Sequence, residues 1–204
     1  MMNAAVLAGG KSKRMGRDKL FIEVEGKRLI ERVLDTLGLI FNDITIIAAA
    51  GETLEKFSWI RQGIVRDLIP DKASMGGLYT ALSYAASERI FVVGGDMPFL
   101  SEDLIRYIIS KEDYDVVIPR TATGLHPLHA VYSKGCLPVI RDMINEGDLS
   151  ISRFVCKMTR YEVGEEEILR IDPDLTSLIN INAPADLEMI KRVPYSGRIR
   201  GGQI

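Results

Sequence analysis

The chain is poor in almost every feature that would place it quickly. Its 204 residues contain two cysteines and two histidines, too few and too scattered for a disulfide framework or a zinc site. Cys136 and Cys156 both sit among apolar neighbours and read as core thiols of a reducing compartment. Net charge is also nearly absent: 26 lysines and arginines against 28 acids leave −2. That balance argues against a dedicated nucleic-acid or anionic-membrane surface. No apolar run approaches the ~18 residues of a membrane span. No basic residue precedes the short apolar run near the N-terminus, so no signal peptide is expected and the protein is expected to be cytoplasmic. Internal repeats and dividing linkers are missing too. At roughly 150 residues per domain, one domain over residues 1–193 is expected, with a loose tail at 194–204.

What the chain does have is concentrated near its start. Hydrophobic residues make up 47% and charged residues 26%, as in ordinary globular proteins. Residues 4–8 form an apolar run that reads as a buried strand and stops abruptly at Gly9 and Gly10. Glycines there admit positive φ and let backbone N–H groups approach a ligand with no Cβ in the way. Then come Lys11, Lys13, Arg14, Arg17 and Lys19, against the single acid Asp18. A glycine turn after a strand, followed by dense positive charge, suits a polyphosphate; a solvated basic turn is the plainer alternative. Two familiar phosphate signatures are absent. Gly10, Lys11 and Ser12 imitate the end of a P-loop, but the glycine required five positions earlier is Ala5. A dinucleotide fingerprint needs glycines at the first, third and sixth positions of its turn, which Gly9, Gly10 and Gly16 do not supply. Nor is there a nucleophile elbow or a cysteine paired with a nearby histidine, so no covalent intermediate is expected.

Further along, strand and helix patterns alternate. Residues 20–24 read as a short strand turned at Glu25 and Gly26. Leu29, Ile30, Val33, Leu34 and Leu37 fall at helical spacing, with Gly38 as the stop. Residues 44–48 suit a buried parallel strand, 54–59 a short helix and 63–67 another strand. That rhythm predicts an α/β protein with a single doubly wound, mostly parallel sheet and helices on both faces. Asp67 falls where such sheets bind ligands, or it caps a loop. Residues 71–78 read as a loop and 79–86 as a helix of small residues.

The most apolar strand, 90–93, delivers Gly94, Gly95, Asp96, Met97 and Pro98. A carboxylate so constrained suits magnesium, which takes one or two carboxylates and completes its shell with substrate phosphates. The alternative is an Asx turn ahead of a helix capped by Ser101. His126 and His129, three apart on an expected strand, would point to opposite faces and could not chelate one ion. Helices are expected at 136–145 and 151–158, and strands at 116–118 and 159–163. Glu165, Glu166 and Glu167 read as a solvated face. Asn180 and Asn182 share one face of a strand end, and Asn182 alone would be an N-cap before Pro184.

Residues 7–19 run Leu7, Ala8, Gly9, Gly10, Lys11, Ser12, Lys13, Arg14, Met15, Gly16, Arg17, Asp18, Lys19. This stretch closely resembles the L-A-G-G-x-S-x-R-M-G-x-D-K signature of the molybdenum cofactor guanylyltransferases, with every fixed position filled. The resemblance extends over about residues 3–190. It implies a Rossmann-like nucleotidyltransferase fold. It also implies transfer of GMP from GTP to the terminal phosphate of molybdopterin or the molybdenum cofactor, releasing pyrophosphate. In that picture Leu7 and Ala8 edge the base pocket, while Gly9, Gly10 and Arg14 hold the triphosphate. Lys19 and Mg²⁺ on Asp96 neutralise developing charge, and Asp67 belongs to the nucleotide side. Asp96 matches the family's magnesium position. His126 with Pro127, and Asn180 and Asn182 ahead of Pro184, match its acceptor side.

This chain departs from the family pattern in two places. The usual Gly-Pro-Leu turn is Ala73, Ser74 and Met75, with Gly77 kept, and an asparagine common after the second strand is replaced by Ala48, Ala49 and Ala50. Relatives that use CTP tend to carry Leu-Ala-Ala-Gly, which makes Gly9 the position that distinguishes a guanine site. The implied partners are GTP and molybdopterin, with transient contacts to other cofactor-biosynthesis proteins. The alternatives are a sister enzyme using CTP, one acting on a sugar phosphate, or a nucleotide-binding module without chemistry. Intact Lys19 and Asp96 argue against the last.

Overall fold

In the computed structural model, residues 2–9, 19–182 and 186 are described. Gly10, Arg14, Pro184 and the expected tail at 194–204 lie outside them. The strand expected at the start is β1 (Asn3–Leu7), buried along its whole length. A 3₁₀ turn at Lys19–Phe21 leads into a hairpin of β2 (Glu23–Val24) and β3 (Lys27–Arg28), then α1 (Leu29–Gly38). Next come β4 (Ile44–Ala48), a 3₁₀ turn at Leu54–Phe57, β5 (Gly63–Arg66) and α2 (Ala73–Tyr84). β6 (Arg89–Gly94), α3 (Glu102–Ile109), β7 (Val116–Thr121), β8 (Gly124–Leu125) and β9 (His129–Ser133) follow. The described chain continues through α4 (Cys136–Asn145), α5 (Ile151–Cys156), β10 (Arg160–Gly164), α6 (Glu165–Leu169) and a 3₁₀ turn at Thr176–Leu178.

The main sheet has eight strands, ordered β10-β7-β9-β6-β1-β4-β5, with β8 paired to the end of β7. β1 runs parallel to both β4 and β6; β9 is antiparallel to β6 and to β7. The sheet is doubly wound, because side chains alternate between two cores. Ala4 and Val6 of β1 pack with Ile30, Val33 and Leu37 of α1 and Leu104 and Ile108 of α3. Ala5 and Leu7 pack the other way, with Met75, Leu78 and Leu82 of α2 and Ile140 of α4. With layers on both faces, a central strand has no solvent side, which is why β1 and β6 read as unbroken apolar runs.

Several elements differ from their sequence expectation. Residues 20–24 are not one strand: Leu20 is buried in the core at the middle of a 3₁₀ turn that ends at Phe21, leaving only the two residues of β2 as the first arm of the hairpin. The turn itself is as expected, with Glu25 and Gly26 both at positive φ, 54° and 77°. α2 begins at Ala73, so the expected loop at 71–78 is mostly helix. Its glycines are tolerated there because they are approached closely, as described below. His126 is not on a strand; Pro127 donates no ladder hydrogen bond, so β9 starts only at His129. Residues 177–182 form a 3₁₀ turn and an irregular stretch rather than a strand end.

Cys136 is a buried thiol as expected, but Cys156, at the end of α5, is exposed. The acidic run is not simply solvated. Glu167 caps α6 by accepting from Gly164 N at 2.9 Å and also accepts from the Tyr107 and Tyr161 hydroxyls, while Glu165 accepts from Ala122 N. Charge pattern alone does not reveal the contacts with Tyr107 and Ala122, whose donors come from distant segments.

His129 is fully buried with neither ring nitrogen hydrogen-bonded among the described residues, and it stands edge-on to Phe91 at 5.3 Å. Burial pushes its pKa down to about 3; nearby His126 adds to the shift and Asp172 opposes it. The native protein therefore holds this imidazole neutral, whereas the unfolded chain protonates it below an ordinary value near 6.5. A depressed histidine costs stability as pH falls through the unfolded value. Between pH 7 and pH 5 the loss from this one group comes to about 2 kcal/mol. His129→Leu should remove that part of the acid sensitivity. Urea-unfolding midpoints measured at the two pH values would check it; an unchanged difference between them would refute the assignment.

Candidate active site

The chain leaves β1 toward β4 on one side and returns at β6 on the other, so strand order reverses beside β1. In open α/β sheets the crevice at such a switch point, beyond the carboxyl ends of the strands, is where ligands bind. Two features occupy that crevice.

The first is a cluster at the end of β6. Lys19 Nζ lies 2.5 Å from Asp96 Oδ2 and donates to Asn182 Oδ1 at 2.9 Å. The two charged side chains are only 16% and 17% exposed. Asp96 is also tied through its backbone, since its carbonyl accepts from Ile181 N at 2.9 Å. Three stretches far apart in sequence thus converge. Asn182 joins this cluster, and its N–H donates to Asp186 at 2.7 Å. Asn180 is exposed and takes no part in the cluster's described hydrogen bonds. His126 lies in the turn before β9, where Leu128 O accepts from Gly94 N at 3.0 Å, so that turn abuts the same strand end. Its Nε2 shares a hydrogen bond of 2.8 Å with Thr121 Oγ1, and burial lowers its pKa.

The second feature is a cleft of about 620 Å³ between the segment after β4 and the turn from β5 into α2. Leu7, Gly9, Ala48, Ala49 and Asp67 are among its lining residues. Of the expected base-edging pair only Leu7 lines it; Ala8 turns its methyl into the core on the α1 side. A Cβ on Gly9 would stand 3.1 Å from Ala49 N and 3.3 Å from its Cα, so the bare glycine lets the two strand ends approach.

Asp67 plays a defined local part. Its Oδ1 accepts from Thr80 Oγ1 at 2.8 Å and from Ile69 N at 3.0 Å, and Thr80 Oγ1 also receives Leu68 N at 2.9 Å. The carboxylate therefore pins the turn that forms one wall of the cleft. Thr80 was missed by sequence reasoning; its only signal there was a hydroxyl among the small and apolar residues of the helix, and the structure buries it completely.

An open α/β sheet with a cleft and a lysine–carboxylate cluster at its switch point defines a ligand-binding protein of the doubly wound class. Comparison with known proteins makes this specific. The chain belongs to the MobA-like NTP transferase domain family, whose model matches residues 4–161. It is 39% identical over 185 residues to an Aquifex aeolicus protein named "Probable molybdenum cofactor guanylyltransferase", covering 91% of this chain and 88% of that protein. It is 34% identical over 197 residues to the molybdenum cofactor guanylyltransferase of Desulfosudis oleivorans, covering 95% and 96% of the two chains. Among solved structures, molybdopterin-guanine dinucleotide biosynthesis protein A from Archaeoglobus fulgidus superposes with a TM-score of 0.82 at 26% identity. That match covers 94% of this chain and all of the other.

The wall pinned by Asp67 yields a stability prediction. A Cβ on Gly76 would fall 2.6 Å from the Ile69 carbonyl oxygen, and 3.1 Å from both Asp67 Oδ2 and Lys72 Cβ. An ordinary helical glycine gains about 1 kcal/mol on replacement by alanine. Here backbone overpacking of roughly 1–3 kcal/mol outweighs that gain. Gly76→Ala should lower the urea midpoint, and a raised midpoint would show that helix propensity dominates instead.

Proposed function

We propose that the protein transfers the guanylyl group of GTP to the terminal phosphate of molybdopterin, with or without its metal, and releases pyrophosphate. The observation that carries this reading is the junction of Lys19, Asp96 and Asn182 beside the cleft, in a chain of this family. An acceptor phosphate is already an oxyanion at neutral pH, so no general base is required. Its oxygen attacks the α-phosphorus, the bond to the β-phosphate oxygen breaks, and pyrophosphate leaves with the electron pair. Catalysis then consists of positioning and charge stabilisation. The Lys19 ammonium supplies positive charge where negative charge accumulates. Gly9, with Gly10 and Arg14, belongs to the triphosphate side. Leu7 and Asp67 belong to the base side, Asp67 by holding the turn rather than by direct contact; Ala8 packs in the core instead. Asn182, Asn180 and His126 belong to the acceptor side.

Asp96 fits magnesium. It is a hard carboxylate fixed at a strand end, and the described residues contain no group of three His, Cys, Asp or Glu that would form an all-protein cage. A cation held by one carboxylate and by substrate phosphates is the usual magnesium arrangement. When bound there, it supplies Lewis-acid neutralisation of phosphate charge. The CTP, sugar-phosphate and non-catalytic readings are not favoured, since the relatives named above are guanylyltransferases over most of their length. The cytoplasm is the fitting compartment, with GTP, molybdopterin and other cofactor-biosynthesis proteins as partners. No helix of the described residues is long and apolar enough to cross a membrane.

Pyrophosphate release measured with each nucleoside triphosphate, with and without molybdopterin, tests the reading. Release should require GTP and acceptor together; equal turnover with CTP would overturn the guanylyl assignment. Asp96→Asn should lower turnover by about a thousandfold, the scale of several kcal/mol of metal-assisted stabilisation. Lys19→Ala should depress kcat more than GTP affinity. Weaker GTP binding at unchanged kcat would make Lys19 a uniform phosphate contact instead.

A further inference from the structure

We propose that Thr80 is a positioning residue for the nucleotide. Its hydroxyl holds the turn after β5 at the distance from the facing wall that a nucleoside triphosphate requires. This rests on the reading of the cleft as the nucleotide site. The wall after β4 is Ala48, Ala49, Ala50 and Gly51, so nothing on it reaches further than a methyl group. Such a wall meets a ligand through its backbone and cannot adapt by rotating side chains. The fit is then set by where the opposite wall stands. That wall is the turn from β5 into α2, with Asp67 and Pro70 among its lining residues.

Apolar packing anchors the turn at Ile69, which lies against the core; Leu68 is 49% exposed and Pro70 is exposed as well. The other fixed points are polar. Asp67 N–H donates to the Ala48 carbonyl at 2.8 Å, which joins the turn to the facing wall. From α2, Thr80 Oγ1 donates to Asp67 Oδ1 at 2.8 Å and accepts from Leu68 N at 2.9 Å. One hydroxyl thus holds two consecutive residues, one through its proton and one through a lone pair. A helical threonine commonly spends its proton on the carbonyl four residues earlier. Thr36 of α1 does so, on Arg32 at 3.3 Å, whereas Thr80 donates out of its helix. The close approach is possible because Gly76, one helical turn before Thr80, has no Cβ to meet the Ile69 carbonyl.

The position of the turn decides which kinetic quantity it governs. The pair of Lys19 and Asp96 sits at the end of β6, across β1 from β4 and β5. A loosened turn therefore weakens the hold on the nucleotide equally before and during reaction and leaves the chemical step as it was. Such a loss of uniform binding appears in affinity and not in kcat.

The test combines GTP calorimetry with pyrophosphate release at saturating GTP and molybdopterin. It compares the unmutated protein with Thr80→Val, Thr80→Ser, Asp67→Ala and the double variant Asp67→Ala, Thr80→Val. Valine keeps the branched shape without the hydroxyl. It should raise the GTP dissociation constant roughly tenfold, within the coupling range of one hydrogen-bond network, at unchanged kcat. Serine keeps the hydroxyl and should bind GTP as the unmutated protein does. Because Thr80 acts through Asp67, the double variant should bind GTP about as weakly as Asp67→Ala alone. A threonine needed only for folding would behave otherwise: fewer binding sites and a lower apparent kcat, both at unaltered affinity. That result in Thr80→Val would overturn the proposal. So would a serine variant as weak as the valine one, or effects of the two substitutions that simply multiply. In each of these cases weaker GTP binding by Asp67→Ala leaves the cleft as the nucleotide site. GTP affinity unaltered in Asp67→Ala and Thr80→Val alike would bring down both the proposal and that reading.

Discussion

The register of β1 between β4 and β6 is the constraint on which the site depends. Leu7 pairs with Ile47 on one side and Gly94 on the other, which brings three strand ends level. A slip of one residue would exchange the faces of Ala4 and Val6 with those of Ala5 and Leu7, and both cores would fail together. In the observed register Gly95 N–H reaches the Leu7 carbonyl at 3.1 Å. The volume a Cβ on Gly95 would need is taken by Leu20 and Val6. Asp96 is the residue after that glycine, and Lys19 the residue before that leucine. Backbone pairing and one buried side chain therefore set how close the two charges come.

Bringing a lysine and an aspartate together at about one-sixth exposure costs hydration that only good geometry repays. Asn182 adds an acceptor for the ammonium, and the Ile181 N–H binds the Asp96 carbonyl, so the C-terminal segment closes over the pair. An arriving phosphate offers the ammonium a second anion of similar hardness. The pair is thus held ready at low exposure without either charge being buried alone.

Two aspartates at strand ends have come to opposite uses. Asp67 turns inward to a threonine hydroxyl and a backbone N–H, and its work is the shape of the cleft wall. Asp96 faces a cation and keeps a partly open side. Their sequence settings are similar: Asp67 directly follows β5, and Asp96 follows β6 with only Gly95 between. What separates them is the helix that follows: α2 presents Thr80 to Asp67, while the chain beyond Asp96 runs through Pro98 before α3 is capped by Ser101.

Much was legible in the residues alone. Alternating apolar runs and amphipathic helices determined the doubly wound α/β sheet, because a strand covered on both faces must be apolar throughout. Lys19 and Asp96 were singled out by local chemistry, and the structure brings the two side chains together. The start of α2 was not legible, because Gly76 and Gly77 look like a loop until the Ile69 carbonyl and the Leu7 side chain are seen pressing on them. Nor was the place of His126 in a turn, the exposure of Cys156, or the reach of Glu167 to the Tyr107 hydroxyl 60 positions earlier. Tertiary structure alone decided that Asn182 meets Lys19, 163 positions earlier. Periodicity and composition report which way a side chain faces within its own element; which distant groups it meets is fixed only when the elements pack.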